Sequence, residues 1–260
     1  MLKPILRYVG SKRDVYQRIY EYFPEKIDEY REPMVGSGAM LIGVLHLRDR
    51  FKKIQIGDID KNVYMFWDSL INKTGELKAD VLRDINIVKS FNKNYDMIVN
   101  FLDTFGSSEE DTISKYLIYN RIRVYGNYGG IAMNSLDRNL ETLEKDIVGK
   151  LYGLKNLIGN AIVRNEDYRW ALQEEGENVL VFLDPPYYNV SAKDGYYLNH
   201  NSFDFDRLKN DLIDSKHRFI MTIDVSEFSK ELKKHFNVYE YDIFYKMASK
   251  WVKECIVTNF

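Results

Sequence analysis

The segment Asp184-Pro185-Pro186-Tyr187 directly follows five apolar residues at positions 179–183. A short apolar run of this kind predicts a strand that is buried on both faces, inside a parallel sheet. In an open α/β sheet, the residue that follows such a strand lies at the carboxyl edge, where ligands bind. The segment therefore predicts an α/β chain with a binding site beside Asp184.

The chemistry of this segment suits a flat ring that carries an amino group. Two prolines exclude helix and ladder geometry, so the carbonyls of Asp184 and Pro185 keep no strand partner. The segment then offers a carboxylate, a rigid carbonyl acceptor and an aromatic ring. A turn that merely ends the strand is the alternative. The pattern favours the functional interpretation, with Asp184, Pro185, Pro186 and Tyr187 as the catalytic candidates.

A second segment, Glu32-Pro33-Met34-Val35-Gly36-Ser37-Gly38, lies between a predicted strand at 30–32 and a predicted helix at 39–47. Its glycines allow a ligand to approach the backbone, and the helix N-terminus offers free N–H groups. A dinucleotide fingerprint requires a third glycine at position 41, which is Leu41. This difference disfavours a nucleotide-binding oxidoreductase.

Asp58 follows the next predicted strand, residues 53–57, about twenty residues after the glycines. An acidic residue at this place accepts hydrogen bonds from ribose hydroxyls, although a turn aspartate is the alternative. Strand, glycine turn, helix, strand and acid in this order are typical of a nucleotide-binding α/β sheet.

Helical periodicity then replaces strand patterns, as Leu77, Val81, Ile85 and Val88 illustrate. The exception is residues 121–137, where Gly, Asn and Tyr predict a loop or short hairpin. Strand patterns return after residue 160. We therefore predict a catalytic domain in two parts, residues 1–61 and 160–260, and a mainly helical target-recognition insertion at 62–159. Further predicted elements are a helix capped by Ser11, strands at 161–163, 218–223, 237–244 and 254–259, and helices at 206–215 and after Ser226.

Composition limits the remaining classes of protein. The net charge of −2 requires any nucleic-acid contact to come from local basic patches. The chain has one cysteine, Cys255, in a predicted buried strand, so no internal disulfide is expected. The four histidines lack ligand spacing, so we expect no metal site. No apolar run has membrane-spanning length and no signal peptide is apparent, so we expect a cytoplasmic protein without membrane partners.

Four ordered segments resemble the motifs of Dam-type (D12 class) DNA adenine-N6 methyltransferases. They are Arg7-Tyr8-Val9-Gly10-Ser11-Lys12, the glycine segment from Glu32 to Gly38, Gly57-Asp58-Ile59-Asp60 and Asp184-Pro185-Pro186-Tyr187. The ending, residues 254–260, is also similar. The resemblance spans nearly the whole chain. It implies a Rossmann-like open methyltransferase sheet with an inserted target-recognition domain, and methylation of N6 of a flipped-out adenine in a short duplex site.

The resemblance also implies that S-adenosylmethionine is the cofactor and that double-stranded DNA is the substrate partner. Enzymes of this family can also act together with a cognate restriction endonuclease. Residues 8, 12, 58 and 184 match family positions that contact the cofactor, and residues 167 and 168 lie where the family contacts the cofactor's adenine. Met34 replaces a usual aromatic residue. The complete set of predicted cofactor-binding residues is Tyr8, Lys12, Glu32, Pro33, Gly36, Gly38, Asp58, Asp167, Tyr168 and Asp184.

The family's recognition segment, Gly-x-Phe-Asn-x-Pro-x-Gly, is not found, and residues 126–132 are its nearest counterpart. The sequence therefore does not predict that this chain recognises the family's usual target, GATC. Arginine reads guanine edges or binds phosphates, and asparagine pairs with adenine. Around the loop at 121–137, the predicted DNA-binding residues are Asn120, Arg121, Arg123 and Asn127.

The predicted mechanism is a direct in-line methyl transfer without a covalent enzyme intermediate. The lone pair of the adenine amino nitrogen is delocalised into the ring, which makes the nitrogen a poor nucleophile. When Asp184 and the Pro185 carbonyl accept its two N–H groups, they favour a geometry in which the lone pair is free to attack. Tyr187 is expected to stack on the extruded base, for which its ring is needed and its hydroxyl is not. N4 methylation of cytosine, methylation of RNA and a non-catalytic DNA-binding relative remain as alternatives.

Overall fold

A computed structural model describes residues 2–8, 10, 12, 15–46, 51–103, 112–124, 130–188, 203–245 and 250–260. Its strands are β1 (Glu29–Glu32), β2 (Lys53–Gly57), β3 (Ile162–Arg164), β4 (Val179–Leu183), β5 (Arg218–Asp224), β6 (Asn237–Tyr245) and β7 (Lys250–Thr258). Its helices are α1 (Tyr16–Tyr20), α2 (Ala39–Val44), α3 (Lys61–Asn72), α4 (Thr74–Ser90), α5 (Tyr95–Asp103), α6 (Thr112–Ile122), α7 (Leu136–Ile158), α8 (Arg169–Gln173), α9 (Phe205–Ile213) and α10 (Glu227–Leu232).

The strands form one sheet in the order β3-β2-β1-β4-β5-β7-β6. The first five strands of this order are parallel, and β7 lies antiparallel between β5 and β6. The chain proceeds outward from β1 on one side and from β4 on the other. The strand order therefore reverses between β1 and β4, and ligands bind at such a switch point in open α/β sheets. This is the Rossmann-like open sheet that the sequence predicted.

Alternating residues of the central strand β4 enter two hydrophobic clusters on opposite faces of the sheet. Leu180 and Phe182 belong to one cluster, and Val179, Val181 and Leu183 belong to the other. All five residues are buried, as the apolar run predicted. In β4 the polar side chains therefore begin only where the strand ends, at Asp184.

The helices α3 to α7 pack together over the first of these faces. Their buried residues include the four that carried the predicted periodicity, Leu77, Val81, Ile85 and Val88. These side chains and those of one sheet face belong to a single continuous hydrophobic cluster. The helical segment is thus anchored on the sheet by its core, while the division of the chain at residues 61 and 159 stays a prediction.

Several predicted boundaries shift by a few residues. Helix α1 begins at Tyr16 after an N-cap at Val15, and Ser11 lies outside the described residues. Within the predicted loop, α6 continues to Ile122, and Arg123 forms an antiparallel bridge with Ile131. This bridge agrees with the predicted loop or short hairpin, of which residues 125–129 lie outside the described residues, and Leu136 already begins α7.

Among the helices of the described residues, none combines the length and the apolar character that crossing a membrane requires.

Candidate active site

The glycine turn after β1 is shaped by two close approaches. Gly36 and Gly38 have φ values of 46° and 68°, which favour glycine. A Cβ atom on Gly38 would lie 2.3 Å from the ring of Trp67, and one on Gly36 would lie 3.0 Å from the ring of Tyr8. The Trp67 indole donates to the Gly36 carbonyl at 3.0 Å. The turn is therefore held against two aromatic rings.

Asp58 joins this turn to the end of β2. Its carboxylate accepts from the Gly36 amide at 2.9 Å and from the Asp60 amide at 3.0 Å. Burial raises the pKa of Asp58 to about 7, against the lowering effect of these backbone donors. A carboxyl group of this kind changes charge near neutral pH and favours a ligand that brings positive charge or hydroxyl donors.

Glu32 is the last residue of β1 and lies beside the switch point, followed by the buried Pro33. It is 2% exposed and accepts a hydrogen bond from the Tyr30 hydroxyl at 2.7 Å. Burial raises its pKa to about 8, and the charges of Asp184 and Asp58 act in the same direction. Three carboxyl groups thus share the carboxyl edge of the sheet.

Asp184 lies at the end of β4, as predicted, and its carboxylate is held by two donors. The Thr222 hydroxyl on β5 donates at 2.7 Å, and the Lys12 ammonium donates at 2.9 Å. Burial raises the pKa of Asp184, while the charge and hydrogen bond of Lys12 lower it. Pro185 is buried and Pro186 is half-buried in the turn that follows.

Lys12 is 3% exposed and connects the N-terminal segment with the Asp184 turn. Besides Asp184, its ammonium donates to the Gly10 carbonyl at 2.8 Å and to the Tyr187 hydroxyl at 3.1 Å. An ammonium group has three hydrogens, so these three acceptors use its donors. The structure therefore brings Lys12 into the predicted catalytic cluster.

Tyr187 is 8% exposed, and its hydroxyl also donates to Glu254 on β7. The expectation that only the ring of Tyr187 matters left out the contacts with Lys12 and Glu254. Glu254 was not predicted as a site residue. An acidic residue at the start of the predicted strand at 254–259, directly before the apolar residues 255–257, was the signal that could have found it. The predicted burial of Cys255 is confirmed.

Asp167 and Tyr168 lie after β3, beyond Asp58. The Asn165 amide donates to the Asp58 carbonyl at 2.8 Å and ties this loop to the site. Tyr168 is 3% exposed and donates to Asp211, whereas Asp167 pairs with Arg207 at 2.9 Å. An open cavity of about 570 Å³ is lined by Asp167 and by its neighbours Glu166, Arg169, Trp170, Gln173 and Glu174.

The predicted DNA-binding residues fall into different environments. Asn120 is buried and pairs with the backbone of Arg7 through both ends of its amide, at 2.8 and 2.9 Å. Arg121 is buried and donates to Asp146 at 2.8 Å and to the Ile5 carbonyl at 2.9 Å. Both side chains are therefore engaged in holding the N-terminal segment on α6 and α7.

Arg123 is half-buried after the end of α6, and its guanidinium lies 5.9 Å from the ring centre of Tyr119. Asn127 lies outside the described residues. The prediction that these four residues contact DNA stays a prediction, and Arg123 is the one whose position at the start of the hairpin agrees best with it.

The sites named from sequence thus converge on the switch point, with Tyr8, Lys12, Glu32, Gly36, Asp58 and Asp184 around it. In the described part of the chain, His, Cys, Asp and Glu side chains form no group of three or more that could hold a metal ion. The arrangement is a group of three carboxyl groups at the carboxyl edge of the sheet, with the buried Lys12 ammonium against Asp184 and the aromatic residue Tyr187 in the turn that follows.

Comparison with known protein families gives a match over nearly the whole chain. The profile of the D12 class N6 adenine-specific DNA methyltransferases matches residues 8–247. Type II methyltransferase M1.LlaDCHI of Lactococcus lactis subsp. cremoris is 24% identical over 286 aligned positions, covering 100% of this chain and 96% of the relative.

Two further relatives, from other organisms, match this chain at a similar identity. Type II methyltransferase M.MjaIII of Methanocaldococcus jannaschii is 23% identical and covers 78% of this chain and 75% of its own length. Type II methyltransferase M.CviBI of Paramecium bursaria Chlorella virus NC1A is also 23% identical, with coverages of 94% and 92%.

Proposed function

Because the chain belongs to the D12 class of N6 adenine-specific DNA methyltransferases, we propose that the crevice between β1 and β4 binds S-adenosylmethionine and that the Asp184 turn receives the target adenine. The observation that carries this proposal is the position of Asp184 at the topological switch point, opposite the glycine turn and Asp58. One ligand in this crevice would contact the ends of β1, β2 and β4 together.

The charges of the crevice fit such a cofactor. Burial raises the pKa values of Glu32, Asp58 and Asp184, and Lys12 is a cation among them. S-adenosylmethionine carries an ammonium and a sulfonium, which would offset the carboxylates, and a ribose diol that suits Asp58. When bound, it supplies a methyl group on the sulfonium, an electrophile that needs no metal ion.

The residues of the Asp184 turn would orient the amino nitrogen. The carboxylate of Asp184 and the carbonyl of Pro185 accept its two N–H groups, and the ring of Tyr187 packs against the base. Lys12 and Thr222 hold the Asp184 carboxylate at 2.9 and 2.7 Å, so it is oriented before substrate arrives. Such preorganised dipoles supply most of the rate in a transfer without covalent catalysis.

The helical insertion, residues 62–159, would recognise the target sequence. Within it, Arg123 and the predicted hairpin that follows would contact the DNA. The relatives are named type II methyltransferases. We therefore extend the proposal to a restriction-modification system in which a cognate endonuclease cuts the unmethylated site.

The direct test uses purified protein, S-adenosylmethionine with a labelled methyl group, and duplex DNA. Digestion to nucleosides is expected to give N6-methyladenine, and sequencing that detects methylated bases then gives the target site. Labelled N4-methylcytosine, or label in RNA alone, would favour the amino-methylation alternatives. Cofactor binding without transfer to any of these substrates would favour a non-catalytic relative.

A further inference from the structure

Glu254 is a buried acid that lies on an antiparallel strand, outside the parallel part of the sheet. It is 1% exposed on β7, between Asp224 of β5 and Tyr241 of β6 in the sheet register. Its two carboxylate oxygens accept hydrogen bonds from two different tyrosines, Tyr187 and Tyr241. The C-terminal hairpin therefore makes a side-chain contact with the turn that follows β4.

The direction of these bonds determines what Tyr187 offers to Lys12. A phenol hydroxyl has one hydrogen, and Glu254 accepts it. The Tyr187 oxygen must then present a lone pair to the Lys12 ammonium at 3.1 Å. Lys12 in turn donates to Asp184 at 2.9 Å. One directed series of bonds thus runs from Glu254 through Tyr187 and Lys12 to Asp184.

We propose that Glu254 is a positioning residue that fixes the Tyr187 ring and, through Lys12, the carboxylate of Asp184. The inference rests on the proposed role of the Asp184 turn in methyl transfer. A carboxylate at this buried place is costly unless its oxygens are hydrogen-bonded. Both tyrosine donors meet that need, and the Tyr187 bond places the aromatic ring relative to the amine acceptors.

The test compares Glu254→Met with Tyr241→Phe, which removes the other donor to the same carboxylate. A methionine has nearly the same length but only a weak thioether acceptor, so it cannot replace the carboxylate that accepts from the Tyr187 hydroxyl. We expect Glu254→Met to lower the single-turnover methylation rate about ten- to hundredfold, the scale of a small misplacement at a reacting centre. Tyr241→Phe is expected to stay within about threefold of wild type, and cofactor affinity to stay within about twofold in both.

A double variant separates positioning from general destabilisation. If Glu254 acts through the Tyr187 hydroxyl, Tyr187→Phe with Glu254→Met will be no slower than Tyr187→Phe alone, because the two changes break one series of bonds. Multiplying losses would overturn the inference, as would a near wild-type rate for Glu254→Met. Equal rate losses in Glu254→Met and Tyr241→Phe that follow their melting temperatures would also overturn it.

If Glu254→Met does not fold, Tyr187→Phe alone still decides. The inference requires a loss of about tenfold or more in Tyr187→Phe, since the ring stays and only its fixation is removed. Asp184→Ala, which removes the acceptor itself, distinguishes a failure of this inference from a failure of the proposed function. Full activity in Asp184→Ala contradicts the proposed function, whereas its inactivity beside a fully active Tyr187→Phe contradicts only the role of Glu254.

Discussion

The ammonium nitrogen of Lys12 lies 2.7 Å from one carboxylate oxygen of Asp184 and 2.9 Å from the other. A cation in this position favours the ionised form of Asp184 against the desolvation that burial imposes. Since amine orientation needs Asp184 as an acceptor, Lys12 should determine the pH at which the site becomes active.

We therefore expect Lys12→Met to move the acid limb of the pH–rate profile to higher pH. Removing the cation raises the pKa of Asp184 further, and the rate falls as pH decreases through that pKa. Thr222→Val, which removes a neutral donor to the same carboxylate, is expected to give a smaller shift in the same direction. Single-turnover rates at saturating cofactor measure both, and superimposable profiles for all three proteins would contradict the role of Lys12.

Asp184→Ala is expected to lower methyl transfer by about a hundred- to thousandfold, the typical cost of losing one fixed transition-state partner. Asp206→Asn is a matched control, because its side chain is 89% exposed at the start of α9. The control should keep the wild-type rate and melting temperature. Asp184→Ala should still fold but with a lower melting temperature, because the buried Lys12 ammonium loses its carboxylate partner, so its rate is measured well below that temperature. A rapid Asp184→Ala enzyme would remove Asp184 from the mechanism.

A cationic cofactor should release protons when it binds. The raised pKa values of Glu32, about 8, and Asp58, about 7, mean that both carboxyl groups hold protons over part of the neutral range. A nearby sulfonium or ammonium lowers those pKa values, so affinity should increase as pH rises from 6 to about 8.5. Calorimetry in buffers of different ionisation enthalpy measures the released protons, and Glu32→Gln and Asp58→Asn should each reduce their number.

The same two groups predict an opposite trend for the ligand-free protein. Their folded pKa values exceed the ordinary values of 4.5 and 3.8. Their contribution to stability is therefore complete below about pH 4 and is lost as pH rises through 7 to 8. As pH rises from about 4 to 8, the melting temperature of wild type should therefore decrease relative to that of Glu32→Gln. A difference in melting temperature that stays constant over this pH range would contradict the prediction.

Much of the fold follows from residue order alone. The apolar run at 179–183 and the strand at 53–57 were predicted with their observed bounds. The first is an uninterrupted β-prone run with a polar residue at each end, and the second alternates Ile54 and Ile56 with polar residues before Gly57 and Asp58. The position of β7 between β5 and β6 does not follow from such signals, because strand order depends on pairing between segments distant in the chain.

Only part of the site could be predicted from sequence, because some of its contacts join residues that are distant in the chain. Asp184 and Asp58 were found because each follows a strand, where local sequence decides the position. Glu254 contacts Tyr187 across 67 residues of sequence, and Arg121 contacts Asp146 across helix packing. Such contacts arise only when the elements assemble, so the burial of the Arg121 guanidinium could not be predicted from its place beside a polar loop.

The glycine at position 38 gives a prediction about the turn. Gly38→Ala requires a side chain at φ 68° with its Cβ 2.3 Å from the ring of Trp67, so either the turn or the indole must shift. We expect a loss of stability of about 2 kcal/mol or more and weaker cofactor binding. Gly75→Ala in α4 is the matched control, since the nearest atom to its Cβ, the Tyr152 hydroxyl oxygen, would lie at 3.7 Å. Chemical denaturation of both variants checks the contrast, and equal stabilities would show that the turn adapts freely.

The last prediction separates the two arginines at the end of α6. Arg121 is buried with Asp146, so Arg121→Ala should lower the free energy of unfolding by about 3 kcal/mol, the lower part of the range for a broken buried pair, because Lys150 still pairs with Asp146. Arg123 lies at the start of the hairpin, so Arg123→Ala should leave stability nearly unchanged and weaken DNA binding. A lost phosphate contact reduces the salt slope of binding by about 1, whereas a lost base contact costs about 1–3 kcal/mol at one position of the target. Arg123→Lys distinguishes these cases, because lysine keeps the charge but not the bidentate geometry of arginine. If Arg123→Ala binds and methylates DNA with the wild-type salt dependence and site preference, the recognition surface lies elsewhere in the insertion.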